Sequence, residues 1–485
     1  MSTMQHTDVL IIGAGISGIS SAHHLQQNCP EKSFEILEAR NDIGGTWDLF
    51  RYPGIRSDSD MYTLGFSFRP WRDPKAIADA PSIMEYLRGA VEDGQLEEKI
   101  NFGKKVVNAA WSTPDARWHL TIEDQANGDT EMRSCSFLHM CAGYYNYDQG
   151  YAPEFPEQEA FEGQILHPQF WPEDLDYDGK KVVVIGSGAT AVTLVPSMAE
   201  KAKHVTMLQR SPTYIVARPA EDALANFVRR WLPPRLAYGI TRWRNVLMGR
   251  LFFWYCRRFP DRAKNLLLKG LDEEVPKGFD VEKRLTPNYN PWDQRLCLAP
   301  DGDFFSALRR GKSDIVTDHI ERFTKNGIEL KSGETLEADI IVSATGLDLN
   351  FFGNMGLSVD NQEIVPGDLL NYKGMMFSGL PNLASSFGYT NASWTLRCDL
   401  TSSYVCRLLK HMDKKGYTIA TPTVDTSKVE PESLLDFSSG YVVRKSAELP
   451  KQGSEAPWRM YQNYVTDVFS INFGSVEDAK NITFS

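Results

Sequence analysis

Val9-Leu-Ile-Ile12-Gly13-Ala14-Gly15-Ile16-Ser17-Gly18 is the stretch whose reading decides the fold. Four consecutive apolar residues are expected of a parallel strand covered on both faces. The glycines that follow are spaced Gly-x-Gly-x-x-Gly, and an amphipathic run predicts a helix from about Ile16 to Gln27. Phe34-Glu-Ile-Leu-Glu38 then reads as a second strand, which completes a βαβ unit. Glu38 falls 20 residues after Gly18, where a carboxylate at the strand end can accept hydrogen bonds from a ribose. The glycines let the backbone approach a pyrophosphate at a helix N-terminus, where the dipole favours anions.

Working outward, the plan repeats. Lys181–Ile185 predicts a strand, Gly186-Ser187-Gly188-Ala189-Thr190-Ala191 a second glycine turn, Ala189–Glu200 a helix and Val205–Gln209 the next strand. The position matching Glu38 holds Gln209, and Arg210 follows. Loss of the acid removes the penalty against a 2′-phosphate, and an arginine can bind that group bidentately. The first unit therefore reads as an FAD site and the second as an NADPH site. A single glycine turn can be free of ligand. Two, each between a strand and a helix, point to a chain holding two dinucleotides face to face, with electron transfer between them.

The expected fold is α/β, with two Rossmann-like domains. Apolar runs at Phe137–Gly143 and Asp339–Gly346 read as crossing points between them. This makes 1–150 the first part of the FAD domain and 151–220 the first part of an inserted NADPH domain. Residues 221–285 form a helical insert, 286–343 the rest of the NADPH domain and 344–485 the rest of the FAD domain. From Val228 to Gly270 there are eleven Lys or Arg against one acid, Asp261, with tryptophans at 231, 243 and 254. The favoured reading is a helical subdomain packed over the cleft with its arginines snorkelling outward. The alternative is a weak contact with an anionic membrane surface through 228–270.

Composition narrows the class. At 485 residues and 24% charged side chains the chain is an ordinary globular protein of two or three domains. A net charge of −11 argues against nucleic-acid binding. Seven scattered cysteines without a CxxC suggest neither zinc nor a redox dithiol, and fit a reduced cytoplasmic protein. No metal-ligand cluster is expected, nor a signal peptide or an 18-residue uncharged span.

Two further stretches carry a family resemblance. Gly44-Gly45-Thr-Trp47-Asp-Leu-Phe-Arg-Tyr52-Pro53-Gly54-Ile-Arg-Ser-Asp58 resembles one fingerprint of the type I Baeyer–Villiger monooxygenases. Phe161-x-Gly163-x-x-x-His167-x-x-x-Trp171-Pro172, between the two glycine turns, resembles the other. All four motifs stand in the family's order, and the similarity spans essentially the whole chain. Residues 45–62, Asn290–Cys297 and Tyr389–Leu396 look most like the actinobacterial branch that activates ethionamide by S-oxygenation. This chain departs from the family in having His167-Pro168 where many members have His-Thr. It also has Gln294-Arg295 where many have Lys-Arg, which leaves Arg210 as the main 2′-phosphate anchor.

The resemblance implies that NADPH reduces FAD and that dioxygen adds to give a C4a-peroxyflavin. That species inserts one oxygen next to a ketone carbonyl, giving an ester or lactone, and also S-oxygenates sulfides or thioamides such as ethionamide. Arg295 matches the family's active-site arginine, whose permanent charge suits a peroxide anion. Asp58 matches the acid that orients it. Trp47 and Tyr52 fall on the FAD-binding loop, with simple core aromatics as the rival reading. His167 in the linker is expected to couple NADPH binding to domain motion, with a structural histidine as the second reading. The rival readings are a heteroatom (S/N) oxygenase and, from another class, a flavin/NADP redox sensor without turnover. A disulfide reductase would need a cysteine pair near the flavin, and Cys29 has no near partner in sequence. Natural substrate, regioselectivity and oligomeric state are not specified by these residues.

Overall fold

In a computed structural model the described residues are 4–435 and 440–485. Two sheets organise the chain, one mixed and one parallel. The larger is nine-stranded. Its parallel part runs in the order Leu383–Ser385, Thr130–Met140, Gln5–Ile12, Phe34–Leu37 and Ile100–Asn101. Antiparallel strands Arg117–Asp124 and Lys104–Ser112 extend it on one side, followed by Gly356–Val359 and Gln362–Glu363. The helix Ile16–Asn28 covers this sheet and packs against the long helix Trp394–Lys415.

The second sheet has five strands, all parallel: Ser313–Thr317, His204–Gln209, Lys181–Ile185, Ile340–Ser343 and Gln164–Leu166. The edge strand belongs to the linker fingerprint. Gly163 is glycine because its backbone runs against Asp339: an added Cβ would sit 2.4 Å from that carbonyl oxygen. The corresponding helix, Ala189–Met198, ends two residues earlier than its periodicity predicts.

The two fingerprints share one apolar cluster. Leu49, Phe50 and Tyr52 from the first pack with Trp171 from the second and with Val192 and Val195 of the second nucleotide domain. This corrects the sequence expectation for Tyr52. It does not line the cavity that opens at the first glycine turn but is buried between the two cores, beside Thr190, and burial pushes its phenol up to about 12.

Residues 221–285 carry the helices Ala223–Trp231, Pro234–Arg258, Pro260–Lys269 and Val281–Leu285. Arg242 turns inward. Its Nη1 donates to the carbonyls of Tyr62 (2.9 Å) and Gly65 (2.7 Å), and Nη2 lies 3.5 Å from the buried Asp399. Most of the other arginines point outward as expected, but so do many large apolar side chains, which a packed subdomain would bury.

Candidate active site

The two glycine turns are built alike. The Gly13 N–H donates to Leu37 O at 2.8 Å, and the Gly186 N–H donates to Leu208 O at 2.8 Å. Both residues have positive φ, +101° and +134°, and an added Cβ would lie 2.8 Å from Cys141 O or 2.2 Å from Ala344 O. Only glycine fits there. Gly18 faces Gly13 so closely that a Cβ would reach its oxygen at 1.9 Å, so this glycine sets the helix–strand approach and does not line the cavity. Ala191, its counterpart, is fully buried against the second sheet. Gly188 has open space where a side chain would be, which leaves the N-terminus of the second helix accessible.

A cavity of about 380 Å³ opens at the first turn. Gly13, Gly15, Glu38, Trp47, Asp58 and Arg295 all line it, from residues widely separated in sequence. The Glu38 carboxylate accepts the backbone N–H groups of Ala14 (2.7 Å) and Arg40 (2.9 Å). Its burial nonetheless raises its pKa. Gly15 faces Gly45, whose Cα would be 3.6 Å from a Cβ on Gly15, so the phosphate end is walled by backbone alone. Such an elongated cavity, with a glycine cradle at one end and a carboxylate beside it, fits FAD.

Arg295 and Asp58 meet at the other end, Nη1 to Oδ2, at 3.2 Å. Arg295, Tyr144 and Trp394 also line a small adjoining pocket, whose other walls include Phe387, Tyr389 and Leu435. Tyr144 stacks on Trp394, centroids 5.1 Å apart, and the indole N–H donates to Ser17 Oγ at 2.8 Å. Burial holds the Tyr144 phenol well above its ordinary value, so it stays protonated. Sequence reasoning missed these aromatics as wall residues. Their one signal was the stretch Tyr389–Leu396, which resembled the family without indicating a role.

The insert bonds to a residue two positions from each polar partner. Arg257 Nη1 donates to Asp293 Oδ1 at 2.8 Å, two residues before Arg295. Asn245 Nδ2 donates to Asp60 Oδ1 at 2.9 Å, two residues after Asp58.

In the second domain, Arg210 is exposed just beyond the strand His204–Gln209. Gln209 is buried, and its amide donates to Arg284 O (2.6 Å) and Thr317 Oγ1 (2.9 Å). The open Gly188 turn, an exposed arginine and a glutamine where the first unit has Glu38 fit a 2′-phosphorylated dinucleotide. His167 follows the edge strand and packs on Gly150, where a Cβ would meet its ring at 2.1 Å. Its Nδ1 accepts from the Gln169 N–H at 3.2 Å, Nε2 is buried without a partner, and burial lowers its pKa. The backbones of Tyr151 and Gly346 face this ring.

All seven cysteines are free and buried. Cys141 lines the large cavity, and burial pushes its thiol up to about 12. Cys29 packs on Cys406, its thiol 3.6 Å from that carbonyl, and neither lines the large cavity.

Comparison with known proteins gives the same picture. Residues 6–229 match the flavin-binding monooxygenase-like (FMO-like) family. The chain is 54% identical over 475 residues to the FAD-containing monooxygenase EthA of Mycobacterium tuberculosis (strain ATCC 25618 / H37Rv), covering 98% of this chain and 97% of that protein. It is 50% identical over 468 residues to the putative FAD-containing monooxygenase MymA of the same organism, covering 96% and 94%. Its fold is similar to that of cyclohexanone monooxygenase from Rhodococcus sp. Phi1 bound to NADP+, with a TM-score of 0.77 at 20% identity and full coverage of both chains. An oxidized steroid monooxygenase bound to NADP also gives 0.77, at 21% identity and 99% coverage of each chain. The chain belongs to the FAD-containing flavin monooxygenases, in the branch that contains the EthA proteins.

Proposed function

We propose that this monooxygenase inserts one atom of O2 beside the carbonyl of an apolar ketone, giving an ester or lactone, and that it also S-oxygenates sulfides and thioamides such as ethionamide. One observation carries the reading: Arg295, paired with Asp58, lines both the flavin cavity and the adjoining aromatic pocket. A permanent cation thus stands where cofactor and substrate meet.

Bound FAD supplies hydride acceptance and dioxygen activation. The chain's own residues supply the rest. Arg295 stabilises negative charge on the oxygen being transferred and cannot itself give up a proton. Asp58 fixes the direction of the guanidinium. Tyr144, Phe387 and Trp394 exclude water and present an apolar wall to the substrate. Gly13, Gly15, Gly18, Glu38 and Trp47 hold FAD. Gly186, Gly188, Ala191 and Arg210 hold NADPH, and His167 couples that binding to domain motion. These roles imply an FAD domain split as 1–150 and 344–485 around an NADPH domain of 151–343 that contains the insert. We assign the activity to the cytoplasm. Among the described residues no helix is long and apolar enough to cross a membrane.

The test is NADPH oxidation by the FAD-loaded protein with a panel of ketones and one thioether, with products identified by mass spectrometry. Ketone-dependent oxidation with an ester product supports the proposal. Sulfoxide alone overturns the ketone assignment and leaves a heteroatom oxygenase. Flavin reduction without any oxygenated product leaves the redox-sensor reading.

A further inference from the structure

The outer face of the insert is built the wrong way round for a surface that meets only water. Along Pro234–Arg258, Leu236, Ile240, Trp243, Leu247, Leu251 and Trp254 recur at spacings of three and four residues, so they form one stripe. All are exposed, Leu251 by 63%. The neighbouring helix Ala223–Trp231 adds Phe227 and Trp231, the latter 75% exposed. On the far side, Trp243 touches Tyr464, 5.7 Å between ring centroids. Tyr464 opens the helix Tyr464–Phe473, which exposes Phe469 and Phe473. Soluble monomers rarely expose so continuous an apolar surface unless something covers it.

The charge around this stripe says what covers it. Arg230, Arg235, Arg250, Arg258 and Arg262 are exposed on the same two helices and on the helix Pro260–Lys269 that follows. Arg258 and Arg262 both lie over the Phe259 ring, at 5.2 and 5.5 Å. Residues 228–270 hold eleven Lys or Arg and one acid, in a chain whose net charge is −11. A second copy docked face to face would oppose arginines to arginines. An apolar stripe with tryptophans, accompanied by exposed arginines on flexible stems, is instead complementary to the headgroup region of an anionic bilayer.

We propose that the helices Ala223–Trp231 and Pro234–Arg258 dock the protein on an anionic lipid surface, lying in the interface without spanning it. The docked helix also contacts the active site from its inner face. Val246 packs on Tyr389 of the aromatic pocket, and Asn245 and Arg257 brace the segments carrying Asp58 and Arg295. Docking therefore places the substrate pocket one helix diameter from the lipid, suited to substrates that partition there.

The test uses the full-length, FAD-loaded protein and a triple variant, Trp231→Glu, Leu247→Glu, Leu251→Glu. Co-sedimentation is measured with phosphatidylglycerol-containing vesicles and with phosphatidylcholine alone. The expected result is binding to the anionic vesicles, weaker binding to the neutral ones, and a loss of about tenfold or more in the variant. Thermal melting and NADPH oxidation of the variant should match the parent, which separates lost docking from lost folding or catalysis. Binding that is absent at low salt, or unchanged in the variant, overturns the proposal. So does self-association in sedimentation velocity that the variant abolishes, since the face would then belong to a second copy.

Discussion

Arg295 and Asp58 lie 237 positions apart in sequence and form an ion pair at 3.2 Å, on the wall shared by the flavin cavity and the aromatic pocket. Both side chains are more than a third exposed to that space, 39% and 36%. The pair is therefore worth little to stability, and its placement has to be explained by chemistry.

Replacing Arg295 by Ala should leave flavin reduction by NADPH intact while product formation falls by about a hundredfold or more, the scale of ~3 kcal/mol of lost charge stabilisation. Stopped-flow reduction and product analysis separate the two steps. Asp58→Asn should lower product yield less, because the cation remains but loses its orienting partner.

Arg210 is exposed beside the open Gly188 turn. In Arg210→Ala the KM for NADPH should rise about 10- to 100-fold, the range for charge-assisted hydrogen bonds worth roughly 1.5–3 kcal/mol. The KM for NADH should barely move. An equal rise for both would mean that the arginine acts on the fold and not on the 2′-phosphate.

Gly18→Ala should empty the flavin site. The new Cβ would meet Gly13 O at 1.9 Å, so the helix must retreat from the turn that holds the pyrophosphate. FAD content after gel filtration, read from the absorbance spectrum, should drop sharply. Ala191→Gly in the second domain should cost NADPH binding little.

His139 gives the fold a pH dependence. It is fully buried between Ser21 Oγ (2.7 Å) and Ser386 Oγ (3.0 Å), and burial, with a smaller effect of His24, lowers its pKa from 6.5 to about 3. His23, stacked on Phe68, is lowered in the same way to about 4. Below 6.5 the unfolded chain binds protons that the folded chain refuses. Stability is therefore full above about pH 6.5 and lost as pH falls toward 4, by ~1.4 kcal/mol per pH unit for each such group. Urea melts at pH 7 and 5 should show the loss, and His139→Gln should flatten the slope.

Arg242→Met should destabilise the protein by about 3–5 kcal/mol, because Asp399 is left buried without its guanidinium and three backbone carbonyls lose a donor. Calorimetry of the FAD-loaded protein measures this. A surface arginine of the same insert, Arg250→Met, should change the melting temperature by less than a degree or two.

Much of the nucleotide chemistry was legible in sequence because it is local. Within about 30 residues, the run Val9–Ile12, the glycine spacing and Glu38 together dictate a strand, a turn and a ligand-facing carboxylate, and the same holds from Lys181 to Arg210. Tyr52 was misread because its fingerprint is one continuous string while its side chains serve two bodies. Trp47 stays with the flavin cavity, whereas Leu49, Phe50 and Tyr52 cross into the second core.

The sequence by itself determined two dinucleotide units and their order, since each rests on backbone geometry that neighbouring residues impose, and its fingerprints carried the family. Tertiary structure alone decided that the aromatic pocket shares Arg295 with the large cavity, and which way the insert faces. The helix Pro234–Arg258 is apolar on two sides, with Val246 and Tyr238 on one and Leu247 and Leu251 on the other. Its periodicity cannot choose between them. Burial of Arg242 in a nest of carbonyls makes that choice, and it turns the remaining apolar face outward.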